Sequence, residues 1–338
     1  MRKLTTPALL AGALTLALTG CGAGSALVGV NDAAPAQVTT TAPIDAASAE
    51  KIAERVIAAA DAAAAAPVKD AKAAEAAKAL RDEALTGSAL AVAEAASKLE
   101  ADPAGTATPA PLTRSEPPKV LAVSRGTAFP RLILVQTATA EGAAKLNLLT
   151  SPDATTPFRL SAAVTMAPGT QVAALDSLDS GSPLVSKDTE LAVEPAALVT
   201  QYADSLAYPK PGKAEAVDTT DPFSTSVRAN AAAQAKAFGA LATLTQKHVA
   251  QPKQTVAIAL RGGGALVFSL LERTDTITLK SGGKSLTPSA EFQRLVKKKT
   301  LTKSAELKSY ETVVFTVPAE GKAGVVGADE VLFSAKGS

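Results

Sequence analysis

The chain holds one cysteine, one histidine and no tryptophan in 338 residues. A single cysteine excludes an internal disulfide framework and a multi-cysteine zinc site. A single histidine excludes a multi-histidine metal centre. Three tyrosines and eight phenylalanines offer few platforms on which bases or sugars could stack. An excess of one charge is missing too: 34 Lys+Arg stand against 32 Asp+Glu, a formal +2. That balance is far from the basic surface of a nucleic-acid binder, so no nucleic-acid partner is expected. What is present is an alanine-rich chain, long enough for one large or two medium domains.

The sharpest local signal is at the start. Arg2 and Lys3 precede an uncharged, Leu- and Ala-rich stretch over 4–18. A bilayer span needs about 20 apolar residues, so this stretch fits the apolar region of a secretory signal peptide instead. It ends in Leu18-Thr19-Gly20-Cys21-Gly22. These residues resemble a bacterial lipobox. The resemblance implies cleavage after Gly20 and lipidation of Cys21, the thiolate being the nucleophile that forms the thioether. Two or more acyl chains would then give a stable anchor, each buried methylene contributing about 0.8 kcal/mol. The expected location is the extracytoplasmic face of the cell membrane. Residues 1–20 carry two of the 34 basic residues and no acid, so the mature chain has 32 of each sign and no net charge.

Residues 21–44 read as a flexible tether. Helices are expected over 48–65, 69–85 and from Ser88, as a cap, to about Leu99. Five prolines then mark 102–118 as a loop. Strands rich in Val, Ile, Leu and Thr are expected over 120–124, 131–139, 144–149 and 158–166. Residues 168–190 are polar and turn-rich. A second cycle opens at Glu194-Pro195, with Leu198, Val199, Tyr202 and Leu206 on one helical face. A linker follows over 208–222, then a helix over 224–247 with Val227, Ala231, Phe238, Leu241 and Leu244 inward. Strands are expected over 255–261, 265–280, 312–317 and 330–335, with a short helix in 287–298. Helices followed by strands thus occur twice, and Val120–Gly126 matches Val256–Gly262 at an offset near one domain length. The expected domains are 45–190 and 191–338, both α+β.

Helices first and an antiparallel sheet after resemble the cystatin-like folds, including the nuclear-transport-factor-like family. The lipobox, Phe129-Pro130-Arg131 entering a strand and Gly263–Phe268 opening one also resemble a group of uncharacterised actinobacterial lipoproteins. This resemblance implies two α+β units, each with a curved antiparallel sheet wrapped around a helix. It implies no activity, because such folds host enzymes, binders and scaffolds alike.

Candidate chemistry is sparse. His248 falls at the expected end of the 224–247 helix, where an imidazolium suits the C-terminal dipole, and no neighbour in sequence makes it a base. Gly262-Gly263-Gly264 lies between strands and reads as a hairpin turn, since a phosphate loop needs a helix behind it. Ser281–Ser285 has a Lys-Ser pair without the upstream glycine of a phosphate-binding loop and reads as a turn. Lys297-Lys298-Lys299 with Lys303 reads as a solvated connection. Asp176–Gly181 lacks the alternating oxygen donors of a calcium loop. Phe238, Phe268, Phe315 and Tyr202 read as core. No catalytic, cofactor or metal site is assigned, and no cofactor is expected. The resulting expectation is a non-catalytic, lipid-anchored envelope protein that binds a small ligand or an envelope protein. The alternatives are a carrier of lipid or another hydrophobic ligand, and a hydrolase or isomerase working in a sheet-enclosed cavity.

Overall fold

The computed structural model describes residues 41–68, 70–100, 116–139, 142–283 and 285–338. The expected signal peptide, Cys21 and the tether up to residue 40 lie outside the described residues, as do most of the proline-rich segment and Lys284. Residues 41–44, expected as the end of the tether, are packed: Ala42 and Ile44 join the first hydrophobic core, and Ala42 N–H bonds Asp179 O at 3.0 Å.

Three helices open the described chain: α1 (Ala46–Ala64), α2 (Ala71–Ala84) and α3 (Gly87–Glu100). Alanine explains the first two, having the lowest helix cost of any residue. Asp45 and Asp70 cap them, accepting from Ser48 N at 2.9 Å and Ala73 N at 2.8 Å. Ser88 is not the cap of α3. The helix begins at Gly87, and Ser88 Oγ donates to Ser161 O at 3.0 Å.

A meander follows: β1 (Lys119–Val123), β2 (Arg131–Ala138), β3 (Ala144–Ser151) and β4 (Arg159–Thr165), in antiparallel order β1-β2-β3-β4. The second half begins with α4 (Pro195–Ser205) and α5 (Pro222–Phe238). Its sheet contains β5 (Ala242–Ala250), β6 (Val256–Ala259), β7 (Ala265–Leu279), β8 (Ser304–Val317) and β9 (Gly324–Gly337), with α6 (Ala290–Val296) before β8. β5 and β6 pair with successive stretches of the same strand: Ala250 faces Leu271 and Val256 faces Phe268. They behave as one strand interrupted at 251–255, so this sheet is also an antiparallel meander, completed by β7-β8-β9. The molecule is therefore α+β.

The two sheets pack face to face. Leu132, Leu134, Leu146 and Leu148 of the first meet Leu266, Phe268, Val314 and Val326 of the second in one buried cluster. Their alternate neighbours point outward: Ile133 and Val135 pack under α1, and Val267, Val313 and Phe315 under α4 and α5. The layer order is helices, sheet, sheet, helices. This explains the continuous apolar runs at 132–135, 266–268 and 313–315, since a strand covered on both faces has no polar side. It also means that the expected segments 45–190 and 191–338, each of which contributes one sheet, share a core. From residue 41 on, the described residues cluster as one compact unit. Where β4 and β9 cross, Thr165 N bonds Asp329 Oδ2 at 2.8 Å and Ala167 N bonds Val326 O at 2.8 Å. A Cβ at Gly327 would overlap the Thr165 carbonyl, so only glycine permits this approach.

Three expected elements differ: the strands expected over 312–317 and 330–335 begin earlier, at Ser304 and Gly324, and one helix is shorter than expected. The 224–247 helix ends at Phe238, and the following residues form strand β5. Gly239, at φ +52°, ends the helix. In β5 the inward residues are Ala242, Leu244, Gln246 and His248, alternating with exposed Thr243, Thr245, Lys247 and Val249. Two of the four inward residues are polar, which hid the two-residue period. Leu241, expected inward, is exposed, and Phe238 is only half-buried.

Candidate functional site

The outer face of the second sheet carries apolar residues at both ends and a polar row between them. Along β7 the outward residues run Leu271, Arg273, Asp275, Ile277, and along β8 they run Val313, Glu311, Ser309, Leu307. Gln246 and His248 of β5 and Glu330 of β9 extend the row, since register places Gln246 opposite Asp275, His248 opposite Arg273, and Glu311 opposite Glu330. Cross-strand pairing thus gathers seven polar side chains from four strands.

Arg273 is the hub. Its Nη1 donates to Glu330 Oε2 at 2.5 Å and Glu311 Oε1 at 3.2 Å, and its Nε lies 3.2 Å from Asp275 Oδ2. Burial weakens the charged form of Arg273, but the carboxylates of Asp275, Glu311 and Glu330 more than offset this and hold its pKa above the ordinary value. Gln246 Nε2 donates to the other oxygen of Asp275 at 2.8 Å.

His248 does not sit at a helix end and is not solvated. Its side chain and that of Glu311 are both 0% exposed, with Nδ1 to Oε2 at 2.7 Å. The acid that fixes the imidazole lies 63 residues away in sequence, beyond the reach of local reading. Among the described residues Nε2 has no hydrogen-bond partner. Within the polar row, this pair has no exposed side-chain atom. Through the second oxygen of Glu311 it is tied to Arg273. Nearby, the Tyr202 hydroxyl is 2.9 Å from Ser224 Oγ. Burial first, then the charge of Asp221, pushes the Tyr202 phenol upward, which keeps it neutral.

Two cavities open over the polar row. One, about 620 Å³, is lined by Arg273, Asp275 and Glu330, with Gln234 and Phe238 of α5, Phe292 of α6 and Leu99 of α3 around it. The other, about 360 Å³, lies under α5 and is lined by Phe223, Asn230, Gln234 and Gln246 above the same three charged residues. They adjoin, sharing Gln234, Arg273, Asp275 and Glu330, and together make up the cleft over Arg273. Its volume suits a small organic ligand. A third cavity of about 350 Å³, mostly apolar, lies between α1, α3 and the first sheet and reaches Asp329 and Glu330 at one end.

The other sequence candidates fall elsewhere. Gly262–Gly264 form the β6–β7 turn, all at positive φ. Asp176 is held by Arg125 at 2.9 Å and lies 3.8 Å from Arg261, while Leu178 packs into the first core, so the 176–181 segment is a tied polar turn. Ser281–Gly283 also turn. Lys297, Lys298, Lys299 and Lys303 are exposed beyond α6 and outside the cleft. Tyr202, Phe268 and Phe315 are core, with Tyr202 edge-on to Phe315 at 4.9 Å; Phe238 instead lines the cleft. Among the described residues no group of three or more His, Cys, Asp or Glu is placed to hold a metal, and no helix is long and apolar enough to cross a membrane.

No solved structure and no curated protein sequence matches the chain. A family model does match, over residues 46–337, and on that match the chain belongs to the family described as a domain of unknown function, DUF8094.

Proposed function

We propose that this is an exported, lipid-anchored envelope protein that binds a small ligand without transforming it, in the cleft over Arg273. The observation that carries the reading is the cleft itself. Cavities of about 620 Å³ and 360 Å³ share a charged floor and are bounded by apolar residues. The layer between the sheets is filled with side chains, which favours this outer cleft over the enclosed interior of a lipid carrier. His248 and Glu311 resemble half of an acid–base device, but both are fully buried, which favours a structural role. Anchoring rests on Leu18–Cys21. The shared meander order of the sheets supports descent from one duplicated unit of the cystatin-like kind, in the manner of actinobacterial lipoproteins.

The binding reading is tested by native mass spectrometry of the mature full chain extracted from its own membrane. A one-to-one non-covalent adduct is expected, and Gln234→Trp, at an exposed position on the cleft wall, should abolish it. An adduct that persists in this variant would move the site elsewhere. Turnover of an envelope substrate, lost in Asp275→Asn, would overturn the non-catalytic part. Cys21→Ala should accumulate unprocessed, unlipidated precursor, and normal processing of that variant would refute the anchor.

A further inference from the structure

The cleft has a charge of its own although the mature chain has none. Its two cavities are lined by Asp275, Glu291, Asp329 and Glu330 against a single cation, Arg273. That cation is already engaged by Glu311, Glu330 and Asp275. The Lys297–Lys299 run lies outside the lining.

A second, independent feature points the same way. Gln246 is 7% exposed and lines the smaller cavity. A carboxylate only accepts hydrogen bonds, so its 2.8 Å contact with Asp275 fixes the amide nitrogen on that side. The amide oxygen Oε1 is therefore oriented away, and among the described residues it has no partner. A buried acceptor without a donor costs free energy until a ligand supplies one. The Nε of Arg273 also has no well-aligned acceptor, but it lies 3.2 Å from Asp275 Oδ2 and is electrostatically covered. The buried Oε1 calls for a donor, and the carboxylates around it favour one that carries positive charge. Around it stand Phe223, Phe238, Ile277, Phe292 and Leu332, which suit an apolar body rather than a second charge.

We infer that the cleft takes a cationic amphiphile: an ammonium group placed among Gln246, Asp275 and Glu330, with an apolar tail lying toward Phe238 and Phe292. The inference rests on the proposed binding role of the cleft and adds the chemistry of the ligand.

The test is isothermal titration of the mature full chain with dodecylammonium, dodecanol and dodecanoate, each below its micellar concentration. Saturable one-to-one binding is expected, with the ammonium at least tenfold tighter than the carboxylate. Glu330→Gln, at a half-exposed position, should weaken the ammonium about fivefold and leave the alcohol unchanged. Gln234→Lys, at an exposed position, should weaken the ammonium and narrow its lead over the carboxylate. Thermal melts check that both variants fold. Equal or tighter binding of dodecanoate to the wild-type chain would overturn the charge assignment while leaving a ligand cleft in place. Binding of none of the three would overturn the cleft as a site.

Discussion

Removing Glu311 should unfold the polar row from its centre. Both of its oxygens are used, one by His248 at 2.7 Å and one by Arg273 at 3.2 Å, and no part of the side chain is exposed. In Glu311→Leu the imidazole loses its one hydrogen bond among the described residues, and a largely buried guanidinium keeps two of its three carboxylates there. Breaking a buried pair from one side costs about 3–5 kcal/mol, because the remaining charge stays desolvated. At about 2 °C per kcal/mol for a body of this size, Tm should fall by about 6–10 °C. Glu311→Gln retains one acceptor and should lose less, about 1.5–3 kcal/mol. The triple variant His248→Leu, Arg273→Met, Glu311→Leu should recover much of the loss, since well-packed apolar replacements avoid the desolvation of the charges. Urea unfolding followed by far-ultraviolet circular dichroism measures all three, the chain having no tryptophan to report fluorescence. Loss of under about 1 kcal/mol in Glu311→Leu, or a triple variant as unstable as the sum of its parts, would refute the reasoning.

Gly327→Ala should destabilise by about 3 kcal/mol or more, because its Cβ would overlap Thr165 O at the crossing of β4 and β9; chemical denaturation reads the loss. Asp221 caps α5 by accepting from Ser224 N at 2.9 Å, so Asp221→Ala should cost about 1 kcal/mol and lower Tm by a few degrees. Asp153 accepts from the hydroxyls of Thr155 and Thr156 and from their backbone N–H groups, which hold its pKa down at about 2. With the folded value below the unfolded value near 3.8, its contribution is present above that value and is lost as pH falls toward 2. An NMR titration of its carboxyl carbon should show that midpoint, and Thr155→Ala with Thr156→Ala should move it upward. A midpoint unchanged by the double substitution would refute the cause.

The helices and sheets were largely readable because their signals are local. Leu198, Val199, Tyr202 and Leu206 share a helical face and are buried together. The runs at 132–135 and 266–268 announce strands covered on both sides. What local pattern could not show is the polar row. The strand at 242–250 turns Gln246 and His248 inward, and 304–311 is a strand made largely of polar residues, so neither shows apolar alternation. The row exists only through register, with Glu311 brought to His248 across β7 and Glu330 brought to Glu311 by β9. The cleft was equally invisible, because its walls come from α3, α5 and α6, which are distant in sequence.

Hydrogen exchange of the mature full chain, with and without saturating dodecylammonium, tests the central claim that this cleft is the binding site. Slower exchange should appear in 226–238, 286–293 and 328–332, the segments that wall the cavities over Arg273. Protection confined to α1 and α3 over the apolar cavity of the first sheet, or no protection at all, would contradict it.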